Sequence, residues 1–258
     1  MLAYDKTEPF DLREIPSLQQ TVSGVTFRCS YFQSGGETAA AYLALPEGEG
    51  PFPVVFYAPG LKTMAMDSSG YAVTLAKKGY AGLLIEEPTV NFDTFDAPAD
   101  IAAYVLYATQ ERRALDLLET MPEIDAKRIG FFGWSNGAIL GSLLAGLEDR
   151  IKAYVFLGVP GKTTYSPEEK ESMGVPTGAK FARWAAQVSV IDNIAYVGRN
   201  KDAAFLFING KDDVNAMHDA KAFLAAAPKG TTWHKYAGGH GSTPAADKFW
   251  QAWMLKNL

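Results

Sequence analysis

A chain of 258 residues fits one large α/β domain (1–258) better than two average ones, and with 48% hydrophobic and 21% charged residues it can bury a sheet on both faces and still solvate its outside. Its 24 basic and 29 acidic residues give a net charge of −5 with no long run of one sign, which excludes the electrostatic footprint of a nucleic-acid or anionic-membrane partner. Cys29 is the only cysteine, so neither an intrachain disulfide nor a zinc cluster of thiolates can form, and no metal site is expected.

In chain order, residues 25–32 and 38–45 carry strand-type side chains around the turn Ser34-Gly35-Gly36 and form an opening hairpin. The apolar run Val54-Val55-Phe56-Tyr57 is short enough to be a strand buried on both faces and ends at Pro59-Gly60. From there strands and helices alternate: a helix over 69–78 stopped by Gly79, a strand over 80–85, a long helix over 98–121, then a strand over 128–133. A helix over 136–147, strands over 153–158 and 203–208, a helix over 218–227, a strand over 231–236 and a closing helix over 244–258 complete the pattern. Such alternation predicts a mainly parallel sheet of about eight strands covered by helices on both faces.

Residues 160–201 break the rhythm, since about 4–6 residues is the usual connection. This stretch, between the sixth and seventh strands, carries Glu168-Glu169-Lys170-Glu171 and then an apolar, helix-like segment from Phe181 to Ile194. Long insertions of this kind form lids or binding loops, and 161–201 is expected to be a lid or cap.

The segment Gly133-Trp134-Ser135-Asn136-Gly137 fits a nucleophile elbow, Gly-x-Ser-x-Gly, and its setting matters as much as its letters. A strand precedes it and a helix follows, as required to hold a serine on a strained turn with a helix N-terminus facing developing negative charge. An incidental serine in a glycine-rich turn would not demand that setting.

A serine hydroxyl needs a base, and the base needs an acid. The strand over 203–208 runs into Asn209-Gly210-Lys211-Asp212-Asp213, which places two carboxylates at the carboxyl edge of the sheet, where sites of open α/β folds gather. Either can be the acid. Of three histidines, His240 stands in Gly238-Gly239-His240-Gly241, whose glycines let a loop fold over the serine; His218 begins a helix and His234 lies within a strand. Two backbone amides, those of Asn136 after the nucleophile and Leu61 after Pro59-Gly60, are expected to hold an oxyanion. Trp134, Phe181, Trp184 and Tyr165 are candidate pocket walls. Glu86, beside Glu87 at the end of the strand over 80–85, is a candidate to bias the pocket, although capping that edge is the plainer role.

The segments PFPVVFYAPG (51–60), IDAKRIGFFGWSNG (124–137), FLFINGKDD (205–213) and GGHG (238–241) resemble dienelactone-hydrolase-like and prolyl-oligopeptidase-type enzymes of the α/β-hydrolase superfamily. The resemblance covers nearly the whole chain from Val25 onward. It implies the α/β-hydrolase fold with the lid as an insertion. In that family the acid sits three residues after the glycine that ends its strand, which implies Asp213. The tryptophan before the serine also resembles cutinase-type polyester hydrolases. Departures are a serine where dienelactone hydrolases carry cysteine, and no room for the propeller of prolyl oligopeptidases.

The expected function is therefore serine-dependent hydrolysis of a small-molecule carboxylic ester through a covalent acyl-enzyme, with Ser135, His240 and Asp213 as triad and no cofactor. A small peptidase or amidase, or a polyester or lactone hydrolase, would use the same triad. A catalytically silent ligand-binding fold fits least, since such proteins usually lose a triad member. A sole cysteine, an N-terminus without the pattern of a signal peptide, and no apolar stretch near the roughly 18 residues of a membrane span point to a cytoplasmic protein. The oligomeric state is not legible.

Overall fold

The computed structural model describes residues 3–86, 95–159, 178–218 and 220–258. Among these residues the strands are β1 (Arg13–Glu14), β2 (Gln20–Val22), β3 (Val25–Ser34), β4 (Glu37–Ala44), β5 (Phe52–Ala58), β6 (Ala81–Ile85), β7 (Ile124–Trp134), β8 (Ile151–Leu157), β9 (Ala204–Gly210) and β10 (Thr232–Tyr236). They form one sheet in the order β1-β3-β4-β6-β5-β7-β8-β9-β10, with β2 paired to β3. The sheet thus has ten strands, not about eight. The two extra strands are short and polar, and only their antiparallel pairing with β3 makes them strands.

Strands β6, β5, β7, β8, β9 and β10 run parallel, and β3 and β4 join them antiparallel through β4 and β6. Because β5 to β9 are covered on both faces, they read as continuous apolar runs: Phe131 points into one core and the next residue, Phe132, into the other. One core packs beneath α2 (Ala97–Leu118) and α3 (Asn136–Ala145); the other packs beneath α1 (Ser69–Ala76) and the closing helix (Pro244–Asn257). In the second, Trp250 is fully buried against Phe132 at 4.3 Å between ring centroids. Burying each such ring stabilises the fold by about 1.5–3 kcal/mol.

Among the described residues, α4 (Ala179–Val188), α5 (Val214–Met217) and α6 (Ala220–Ala226) lie between β8 and the closing helix, which is α7. The helix expected over 218–227 is α6, and the short α5 precedes it. Tyr165 and Glu168 to Glu171 of the expected lid, like Glu87, lie outside the described residues. The described part of that insertion packs as core: Phe181, Trp184, Val188 and Ile191 are buried in the same cluster as Tyr104 of α2. The Trp184 indole N–H donates to Asp100 Oδ2 at 2.7 Å, and Phe95 meets both Phe181 and Trp184 edge-on. Burial raises the Asp100 carboxyl above its ordinary range, and the indole bond offsets part of that cost.

Trp184 thus anchors the insertion to α2. Trp184→Ala is expected to lower the unfolding free energy by ~3–5 kcal/mol in urea titration. A change below ~1 kcal/mol would mean that the indole does not anchor the insertion.

Candidate active site

Ser135 sits between β7 and α3 at φ 53°, ψ −113°, a left-handed conformation that costs a non-glycine residue on the order of 1–3 kcal/mol. The surroundings hold it there. Its amide donates to Leu157 O of β8 at 2.9 Å, and its carbonyl accepts from the amides of Ala138 and Ile139 in the first turn of α3. A Cβ on Gly137 would collide with the carbonyl oxygens of Ala58 and Pro59, so only glycine lets α3 approach the end of β5 this closely.

That approach sets Ala58 and Pro59, at the start of the loop that carries Leu61, against Gly137, the neighbour of Asn136. The loop closes on itself: the amide and hydroxyl of Thr63 both donate to Gly60 O, at 3.2 and 2.5 Å, with Leu61 and Lys62 inside the turn. Glu86, a candidate pocket residue, is engaged here as a tether, accepting from the Ala65 amide at 3.2 Å. The Asn136 side chain is buried and accepts from the Tyr104 hydroxyl at 2.7 Å.

The structure separates the two aspartates. Asp212 is exposed. Asp213 is only 3% exposed: one carboxylate oxygen caps α5 by accepting from Ala216 N at 3.1 Å, and the other lies 2.8 Å from His240 Nδ1. An ionised carboxylate only accepts, so Nδ1 carries the proton and Nε2 is left with its lone pair. The His240 side chain remains 38% exposed, open to a substrate.

The loop carrying His240 is held at three successive carbonyls. Trp134 Nε1 donates to His240 O at 3.0 Å, while the Tyr236 hydroxyl bonds Gly239 O at 3.2 Å and Gly241 O at 2.8 Å. Burial, with the charges of Asp213 and Asp247, pushes the Tyr236 phenol up to about 12, so it stays protonated as a donor. The imidazole rests against Gly158 at the end of β8, where a Cβ would come within 3.3 Å of it. Ser135 follows Trp134 directly and bonds the last residue of β8, which puts elbow and imidazole at one place on the sheet edge. His218 is exposed at the end of α5, and His234 stacks on Phe249 with centroids 3.8 Å apart.

Sequence reasoning missed Tyr236, which reads as an ordinary strand residue; its place four residues before His240 was the available signal. Tyr236→Phe is expected to lower kcat roughly tenfold by loosening the histidine loop, with the KM for a short ester nearly unchanged. Steady-state kinetics check this.

A groove of about 690 Å³ opens beside Trp134 and Pro59 and runs between α1 and α7, past Tyr71 and Gln251. Phe181 and Trp184 are instead seated in the core. Among the described residues no group of three or more His, Cys, Asp or Glu is placed to hold a metal ion, and no helix is long and apolar enough to cross a membrane.

Residues 16–177 match the family model described as esterase FrsA-like. Esterase FrsA of Enterobacter sp. (strain 638) is 33% identical over 126 residues, covering 48% of this chain and 29% of that protein. The chain spans about a third of the length of such curated relatives. Among solved structures, acetyl xylan esterase 1 from Thermoanaerobacterium sp. superposes with a TM-score of 0.78 at 18% identity, covering 98% of this chain and 89% of that one. A dienelactone hydrolase from Anabaena variabilis gives a TM-score of 0.63 at 18% identity, covering 91% and 99%. The fold is the α/β-hydrolase fold.

Proposed function

The chain belongs to the FrsA-like esterase family, and on that premise we propose that it hydrolyses carboxylic esters of small molecules through a serine acyl-enzyme. Ser135 Oγ attacks the ester carbonyl as His240 Nε2 takes its proton, and the Asp213 carboxylate stabilises the imidazolium that forms. The amides of Leu61 and Asn136 receive the oxyanion. Collapse of the tetrahedral species expels the alcohol, which leaves with the proton returned by His240. Water, deprotonated by the same imidazole, then releases the carboxylic acid and regenerates the serine.

The observation that carries this reading is the buried Asp213 carboxylate 2.8 Å from His240 Nδ1, on a loop packed against the strand end that Ser135 bonds. Trp134, between the imidazole and the groove along α1 and α7, supports a role for that groove in receiving one side of the ester.

Labelling by a fluorophosphonate, mapped by peptide mass, tests the mechanism, and a panel of p-nitrophenyl esters run beside matched anilides tests the substrate class. Stoichiometric modification of Ser135 with hydrolysis of esters well ahead of anilides is expected. Absence of labelling on folded protein would overturn the proposal.

A further inference from the structure

Two residues on one face of α2, a single turn apart, hold two different helices: Asp100 accepts from Trp184 of α4, and Tyr104 donates to the Asn136 side chain of α3. All four are buried. Asn136 is the first residue of α3, and its amide belongs to the peptide plane that joins it to Ser135. Relaxation of the strained Ser135 conformation would rotate that plane, and the N–H with it. A bond holding the Asn136 side chain from a separate helix opposes that rotation.

We propose that Tyr104 is a positioning residue for the oxyanion site: through the Asn136 side chain it fixes the direction of the Asn136 amide, and the Trp184–Asp100 bond one turn away braces α2. This rests on the serine mechanism proposed above. Removing an oxyanion donor outright costs about 10²–10³-fold in kcat, and a donor left in place but loosely aimed costs a part of that.

The test is a double-mutant cycle with Tyr104→Phe and Asn136→Ala, the latter keeping the backbone amide. Active sites are counted by fluorophosphonate labelling, so that unfolded protein does not enter the rate. Each single variant is expected to lower kcat per labelled site roughly tenfold with KM within about twofold, and the double variant to lose no more than either alone. Both should also react more slowly with the fluorophosphonate, whose phosphoryl oxygen occupies the same position as the oxyanion. Unchanged kcat per labelled site in Tyr104→Phe, or losses that multiply in the double variant, would overturn the assignment. If Tyr104→Phe does not fold, Asn136→Ala decides alone, since full turnover there leaves nothing for Tyr104 to act through. Wild-type protein that takes up no label at Ser135 overturns the serine mechanism and this proposal together; wild-type that is labelled and active while the variants match it overturns this proposal only.

Discussion

Ser135→Ala is expected to reduce turnover of an activated ester by a factor on the order of 10⁴–10⁶ while leaving the protein folded. In the proposed mechanism the hydroxyl is the attacking group, and neither His240 nor the oxyanion amides can replace it; what remains is attack by water in a site that still binds and polarises the carbonyl. The fold has little stake in that oxygen. The Ser135 side chain does not cap α3, and the contacts that hold the elbow are made by its backbone amide and carbonyl. Alanine shares the cost of the left-handed conformation, so the unfolding free energy in urea is expected to change by no more than ~0.5 kcal/mol. Turnover measured beside fluorophosphonate labelling checks both halves, and a variant that kept a tenth of wild-type activity would move the nucleophile elsewhere.

Asp213→Asn is expected to lower kcat by about 10³–10⁴-fold. The asparagine can still cap α5, because its carbonyl oxygen accepts from Ala216 N as the carboxylate does. Its amide group is then turned toward His240 and donates a proton where the carboxylate accepted one. The imidazole must answer with the wrong tautomer, Nε2 protonated, and cannot take the proton of Ser135. Asp212→Asn is expected to change kcat less than twofold, since that side chain is exposed. Because the triad acts as a unit, combining Asp213→Asn with Ser135→Ala should cost scarcely more than Ser135→Ala alone. The pair of aspartate variants, assayed with one short ester, is the decisive comparison; the reverse ranking would make Asp212 the acid.

The elbow was legible from residues 129–137 alone because strand, glycine, serine, glycine and helix are contiguous, and each local preference points to the same turn. The hairpin of β3 and β4 and the buried strands β5 to β9 were legible for a like reason: a double-glycine turn, and apolar runs too short for helices. His240 stood out because only three histidines exist and one lies among glycines at a strand end. The helix expected over 218–227 is present as Ala220–Ala226, and what the apolar pattern did not show is the short helix before it, which begins at Val214 because Asp213 caps it.

What the residues by themselves determined is thus the order of elements and the candidates for nucleophile and base, since these rest on short-range backbone preference and on side-chain types that have no substitute. Tertiary structure decided the rest. Asp212 and Asp213 are the same chemical group one residue apart, and only the packing of the β9 and β10 loops buries one against His240 and leaves the other in water. Arg13-Glu14 and Gln20–Val22 have no strand pattern of their own and become strands through hydrogen bonds offered by β3. Phe181 and Trp184 read equally as lid or core, and the choice falls to a partner 84 residues away, Asp100, whose burial makes the indole N–H its compensating donor. Tyr104 carries no local sign of its bond to Asn136, and Tyr236 only its nearness to His240 in the chain, because a phenol inside a helix or at a strand end gains its partner only from the acceptor the fold sets 2.7–3.2 Å from its oxygen.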